Sequence, residues 1–284
     1  MPDRLLQLGS SLLQHGPDSD RVYVMRIVPD DTHQVLDEAK TLAERHGYGK
    51  IVVKARAQDH GELARRGYSV EAVVPCFHAG GEAALFAGRF LDGSRATDPQ
   101  QPRIREVLEA AEAARSEQRT APELPELVVR EAGPEDTEAL AALYSDVFAS
   151  YPFPIDDPDH LRAEHERGTR YFAAYEESNG GGLVAASSME PGGAPGAVEM
   201  TDFATLPAHR RRGIASHLLT LMDRGARAAG VRVAYTIARA CSFGMNITFG
   251  RCGYEYAGTL VNNTGIAGAI ESMNVWYKIL EDPI

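Results

Sequence analysis

One stretch constrains the fold of this chain more than any other: residues 199–215, EMTDFATLPAHRRRGIA, continued by SHLLTLMDRGARAAG to Gly230. Val198 to Leu206 is apolar and β-branched enough for a buried strand, and Ile214, Leu218, Leu219, Leu221 and Met222 recur at helical spacing. Between strand and helix lies a basic loop, Arg210-Arg211-Arg212-Gly213. A strand that feeds a helix through such a loop aims unpaired backbone N–H groups and the positive end of the helix dipole at one point. That arrangement suits a phosphate. Gly213 lets an anion approach the backbone closely, and Ala215 keeps the first turn slim. A solvated basic turn would have the same composition, so the loop alone leaves both readings open.

The order of residues is more specific. Arg210-Arg211-Arg212-Gly213-Ile214-Ala215 resembles the Arg/Gln-x-x-Gly-x-Gly/Ala signature of the GNAT superfamily of N-acetyltransferases. Gly230 closes the helix, Val233 to Ala238 reads as the next strand, and Gly253-Tyr254 resembles the Gly-Phe/Tyr that opens that family's sixth strand. The resemblance implies an α/β (α+β) acyl-CoA N-acyltransferase fold, a mixed central sheet flanked by helices. It also implies acetyl-CoA as co-substrate, held by Ala204, Thr205 and Leu206 at the strand end, by Arg210, Arg211, Arg212, Gly213, Ile214 and Ala215, and by Asn246 and Phe249.

At 284 residues the chain is long enough for two modest domains, and 44% hydrophobic residues are enough to bury a core. Its 40 acidic residues against 29 basic ones argue against a nucleic-acid or anionic-membrane partner, which needs a broad basic face. Cys76, Cys241 and Cys252 are odd in number and far from metal-binding spacing. They fit a reduced compartment, with no metal expected. MPDRLLQLGSSLLQHG is too short in apolar residues and too poor in positive charge for a signal peptide, so the expected location is the cytoplasm.

Along the chain, Arg21 to Val28 alternates as a strand does, Asp31 to His46 has helical spacing, and Gly47 stops the helix. Lys50 to Ala55, Tyr68 to Val74 and Ala83 to Phe90 read as strands, with a short helix over His60 to Arg66. Asp92 to Pro102 reads as a loop and Arg103 to Glu117 as an exposed Ala/Glu/Arg helix. Residues 119–126 then form a Pro-bearing linker. The pattern restarts at Leu127 with a strand, a turn at Gly133-Pro134 and a helix. A Pro- and Asp-rich loop spans Tyr151 to Asp159, Leu161 to Arg167 is a short helix, and Tyr171 to Glu176 pairs with Leu183 to Met189 across Gly180 to Gly182.

Ala55-Arg56-Ala57 after Gly47 matches Ala238-Arg239-Ala240 after Gly230, and Gly67-Tyr68 echoes Gly253-Tyr254. We read residues 1–118 as a degenerate, structural GNAT-like copy and 127–284 as the catalytic domain. The copy lacks the Arg-x-x-Gly loop and is expected to bind no pyrophosphate.

Acetylating an alkyl amine requires it neutral, yet its pKa is about 10.4. A carboxylate on the strand at 198–206 can take the proton, and Glu199 and Asp202 are the acids there. With a period of two they face opposite sides unless a bulge intervenes. The family's usual base position favours Glu199. The family's usual thiolate acid, a tyrosine, is replaced here by Phe249, and its usual asparagine by Ser242. Asn246, Tyr254, Tyr256 or water are the candidates to replace that acid, and Tyr254 is placed with the catalytic residues.

YTIAR at 235–239, GMNITF at 244–249 and residues 254–278 together resemble the β-lysine N-acetyltransferase family. That implies acetylation of the β-lysine side-chain amine, giving N-ε-acetyl-β-lysine, a compatible solute. A pocket for two amines and a carboxylate needs anions and donors. Glu271 joins Glu199 and Asp202 as an anion, with Arg239, Asn262, Asn263, Thr264 and Asn274 as donors. A plain turn would also explain Asn262-Asn263-Thr264-Gly265. A non-catalytic acyl-CoA sensor, or an enzyme for another small amine or a peptide N-terminus, are the rival readings. A homodimer is compatible with all of them.

Overall fold

The structure, a computed structural model, describes residues 3–117, 124–149, 151–177 and 181–280. The first five residues of the expected linker, and Gly180, lie outside the described residues. The first half of the chain holds β1 (Arg4–Leu8), β2 (Ser11–Gly16), β3 (Arg21–Arg26), β4 (Lys50–Arg56), β5 (Ser69–Val74) and β6 (Ala84–Phe90). Its helices are α1 (Thr32–His46), α2 (His60–Arg65) and α3 (Gln101–Glu117). The second half holds β7 (Leu127–Ala132), β8 (Arg170–Glu176), β9 (Leu183–Pro191), β10 (Ala197–Thr205), β11 (Val233–Arg239), β12 (Glu255–Ile266) and β13 (Ala269–Ile279). Its helices are α4 (Thr137–Val147), α5 (Pro158–Glu166), α6 (Ile214–Ala228) and α7 (Phe243–Arg251).

The described strands form one mixed sheet in the order β1-β2-β3-β4-β6-β5-β12-β13-β11-β10-β9-β8-β7. Read inward from either edge, the halves follow the same path. Antiparallel strands lead to a parallel pair, β3 with β4 or β10 with β11, and the last two strands of each half then swap places. This is the internal echo seen in the sequence, now as topology. The halves meet where β12 pairs with β5 at Gly258 and Ala72. A Cβ at Gly258 would lie 2.0 Å from the Glu71 carbonyl oxygen, so the contact requires glycine.

Local chemistry explains most element boundaries. In α1, Val35, Leu36, Ala39, Leu42 and Ala43 are buried on one face, and Gly47 ends the helix in the left-handed region with φ 71°. Pro158 opens α5 and the Asp157 carboxylate caps it by accepting from Asp159 N–H, which starts the helix earlier than its apolar spacing suggests. Strands β1 and β2 have no counterpart in the sequence reading.

Two expectations are corrected. Helix α3 is not exposed all round: Ile104, Val107, Ala111 and Ala114 are buried, and Ala111 packs so closely on α7 that a Cβ at Gly250 would meet its carbonyl oxygen at 2.3 Å. Alanines on an otherwise charged helix pattern too weakly to reveal this face. Residues 262–265 are neither a turn nor a free loop, since they form a bulge within β12, where the register to β13 shifts between Leu260 and Thr264.

Candidate active site

Strand pairing builds the site. Glu199 on β10 stands opposite Glu190 on β9 and beside Tyr235 on β11, so these side chains form a row across three strands. The β10–β11 pairing ends at that row, and both strands run on separately to Thr205 and Arg239. Just beyond, the register of β10 slips between Thr201 and Ala204, and Asp202 adopts a left-handed φ of 54°. This bulge resolves the alternation problem: Glu199, Thr201, Asp202 and Phe203 all line one cavity of about 190 Å³.

Both halves of the chain wall that cavity. Arg21, Tyr23 and Met25, which share one face of β3, lie there with Gln14 and Lys54, facing the acids of β9 and β10. The N-terminal half therefore contributes side chains to the cavity wall. The Tyr235 hydroxyl donates to Glu199 Oε2 at 2.7 Å, and Lys54 Nζ donates to the same hydroxyl at 3.0 Å. Asp202 accepts from Tyr151 Oη at 2.6 Å and Ser188 Oγ at 2.5 Å.

The electrostatics follow from three buried acids sharing one wall. Burial raises Glu199 above the usual carboxyl range, while the Lys54 cation and the Tyr235 hydrogen bond pull it partly back. Burial also raises Asp202, offset by hydrogen bonds from Ser188, Tyr151 and Glu190. Glu190 goes well above the carboxyl range, first through burial and then through the charges of Asp202 and Glu199. Of the three it is the carboxyl pushed furthest toward its neutral form, and its hydrogen bond to Asp202 raises it while lowering Asp202. Burial lowers Lys54, and Glu199 and Glu190 restore part of that loss.

At the other end of β10, Gly213 caps α6 with φ 83° and no side chain bonds the helix's first amides. Arg211 is also left-handed, with φ 65°. The free amides of Ile214, Ala215 and the turn before them form an anion cradle, with Arg210 and Arg211 exposed beside it. Arg212 is held in an ion pair with Glu126. Leu206 N–H is donated to Val184 O at 2.9 Å. Strand alternation then turns the Ala204 amide the same way and the Thr205 amide toward the gap beside β11.

A chain of this kind has relatives. The pattern of the Acetyltransferase (GNAT) family matches residues 137–254. The Beta-lysine N(6)-acetyltransferase of Methanococcus maripaludis is 33% identical over 98% of this chain and 100% of its own length. The chain belongs to the GNAT acetyltransferase family. The N-acetyltransferase YodP of Bacillus subtilis is 30% identical over 95% of this chain and 96% of its own. A second Beta-lysine N(6)-acetyltransferase, from Methanosarcina mazei, is 25% identical over 87% and 97%. As a GNAT enzyme the chain is an N-acetyltransferase with acetyl-CoA as co-substrate. The uncapped α6 terminus and the parted β10 and β11 fit that molecule's pyrophosphate and chain.

Within this GNAT framework several expected site residues are corrected. Tyr254 is fully buried and donates to Asp223 Oδ1 at 2.8 Å, away from the cavity. Asn246 is spent inside the core: its Nδ2 donates to the Arg239 and Ser242 carbonyls, and its Oδ1 accepts from Asn274 and Trp276. Asn274 is spent with it, accepting also from Thr259. Asn262 donates to the Arg95 and Thr97 carbonyls and holds the β12 bulge. Glu271 is locked to Arg239 by bonds of 2.8 and 2.5 Å, leaving Arg239 alone of that pair on the cavity wall. Tyr256 bonds to Thr259 and does not replace the missing acid either. Asn263, Thr264, Phe249 and Ser242 do line the cavity.

Glu190, Lys54, Tyr235, Tyr151 and Arg21 were missed. The signals were slight: a second lysine, Lys54, following the apolar run of the strand at 50–55, and an acid just past the expected end of the strand at 183–189. Among the described residues no cluster of three metal-ligating side chains forms, and no helix is long and apolar enough to cross a membrane.

The raised Glu190 carboxyl has a consequence for stability. Its folded pKa lies above the unfolded one, so from pH of about 4 upward the unfolded chain loses a proton that the folded chain keeps. The contribution of this group to stability thus falls as pH rises. Glu190→Gln stays neutral and can still donate to Asp202. The expected result is a melting temperature about 3 °C or more above the parent at pH 8, with the gap closing near pH 4. Thermal melts across that range check it.

Proposed function

We propose that the enzyme acetylates the side-chain amine of β-lysine, making N-ε-acetyl-β-lysine as a compatible solute in the cytoplasm. One observation carries this: the likeness to a relative of that name spans the whole chain, and both halves wall the cavity. A partner that used only the GNAT half would have no need of Arg21, Tyr23 and Lys54 in the wall.

In this reading residues 127–284 carry the chemistry and residues 1–118 complete the acceptor pocket without binding nucleotide. The N-terminus of α1 follows a turn with Asp30 and Asp31, which repels phosphate. Glu199 takes the proton of the attacking ammonium, because its Oε2 alone is engaged and its basicity is raised. The nitrogen then bonds to the acetyl carbon, the Thr205 amide receives the developing oxyanion, and the carbon–sulfur bond breaks. The departing thiolate is a fair leaving group and is protonated, through water, by the second proton the nitrogen sheds as it becomes an amide. Asp202, beside Glu199 on the bulge, holds the attacking ammonium in place before its proton is taken.

The test is thiol release from acetyl-CoA across lysine, β-lysine, ornithine, spermidine and a peptide amine. β-Lysine is expected to give the highest kcat/KM. A flat or silent panel with intact acetyl-CoA binding would favour a sensing module instead.

A further inference from the structure

Arg21 is only 4% exposed, yet its three hydrogen bonds go to neutral oxygens: Asn263 O at 2.7 Å, Thr264 Oγ1 at 2.9 Å and Gln14 Oε1 at 3.2 Å. Among the described residues it has no carboxylate in ion-pair range, and its Nε is buried without a partner. A buried guanidinium without an anion is costly, so the arrangement is complete only with one supplied from outside. The neighbouring Asn263, 2% exposed, leaves its Oδ1 buried and unpaired as well. An idle donor and an idle acceptor thus sit together on the cavity wall, with Tyr23 between them and the acids of β10.

We propose that Arg21 and Asn263 form a subsite for the amino-carboxylate end of the acceptor, the guanidinium binding its carboxylate and Asn263 Oδ1 its ammonium. This rests on the acceptor reading above and deepens it. The substrate class becomes a diamino carboxylate whose far amine reaches Glu199, and the N-terminal half becomes the part of the chain that selects it. The pocket's charges match: an unpaired cation at one end, and at the other acids with Lys54 as their near cation.

The experiment compares β-lysine with pentane-1,4-diamine, the same carbon chain without the carboxylate. The parent enzyme is expected to prefer β-lysine by about a hundredfold in kcat/KM, the scale of a charge-assisted pair. Arg21→Gln is expected to erase most of that preference by raising the β-lysine KM, with kcat changed far less. Arg21→Lys, which keeps a cation but not the fork, should retain part of it and serves if the glutamine variant does not fold. Parallel losses for both substrates would assign Arg21 to holding the β12 bulge and overturn the subsite. If the parent acetylates neither compound, the acceptor reading fails, and the subsite is judged by calorimetry with 3-aminobutanoate. Binding to the parent but not to Arg21→Gln supports the subsite, and equal binding or none overturns it.

Discussion

Glu199→Gln lowers kcat by about a hundredfold or more while leaving acetyl-CoA affinity nearly intact. Glutamine keeps the shape and still accepts from Tyr235, but it cannot take the ammonium proton. The pH profiles separate this from a structural effect. In the parent, Glu199 must be ionised, so activity climbs as pH rises through its elevated pKa. In the variant that limb is gone and the rate follows only the neutral fraction of an amine with a pKa of about 10.4, so alkali restores activity. Asp202→Asn is the matched comparison. Tied to Tyr151 and Ser188, Asp202 acts on the bound ammonium, so its loss should raise the amine KM more than it lowers kcat, with little rescue. Reversed profiles would exchange the two roles.

Gly213→Asp is expected to weaken acetyl-CoA binding by about a hundredfold or more. The backbone at Gly213 is left-handed and the first amides of α6 are uncapped. An aspartate there would cap those amides with its own carboxylate and set a negative charge where the pyrophosphate must lie. The left-handed strain costs about 1 kcal/mol, which the cap offsets, so the variant should remain folded. Calorimetry on folded protein reads the loss. Unchanged affinity would remove the loop from the cofactor site.

What was legible in the sequence was local. The loop at 210–215 and the acid at the head of β10 are set by a strand, a turn and a helix contiguous in the chain, so residue order reveals them. Phe249 was legible for the same reason, by its distance from Gly253. The bulge at Asp202 was visible only as a condition, because nothing in MTDFA marks where a strand slips register. Glu190, Glu199 and Tyr235 meet by the pairing of β9, β10 and β11, whereas Lys54 reaches Tyr235 across 181 residues and Arg21 reaches Asn263 across 242, separations that residue order does not reveal. Tyr254, Asn246, Asn262 and Asn274 erred the other way. Polar residues in a chemically suggestive segment were claimed for the site, whereas the core had already used their hydrogen bonds.

The most direct measurement is the NMR structure of the product formed from β-lysine and acetyl-CoA by the parent enzyme. With the carboxylate end at Arg21 and the far amine at Glu199, the acetyl group is expected on the side-chain nitrogen alone. Acetylation of the nitrogen nearer the carboxylate, or no transfer by a protein that binds both substrates, would contradict the account.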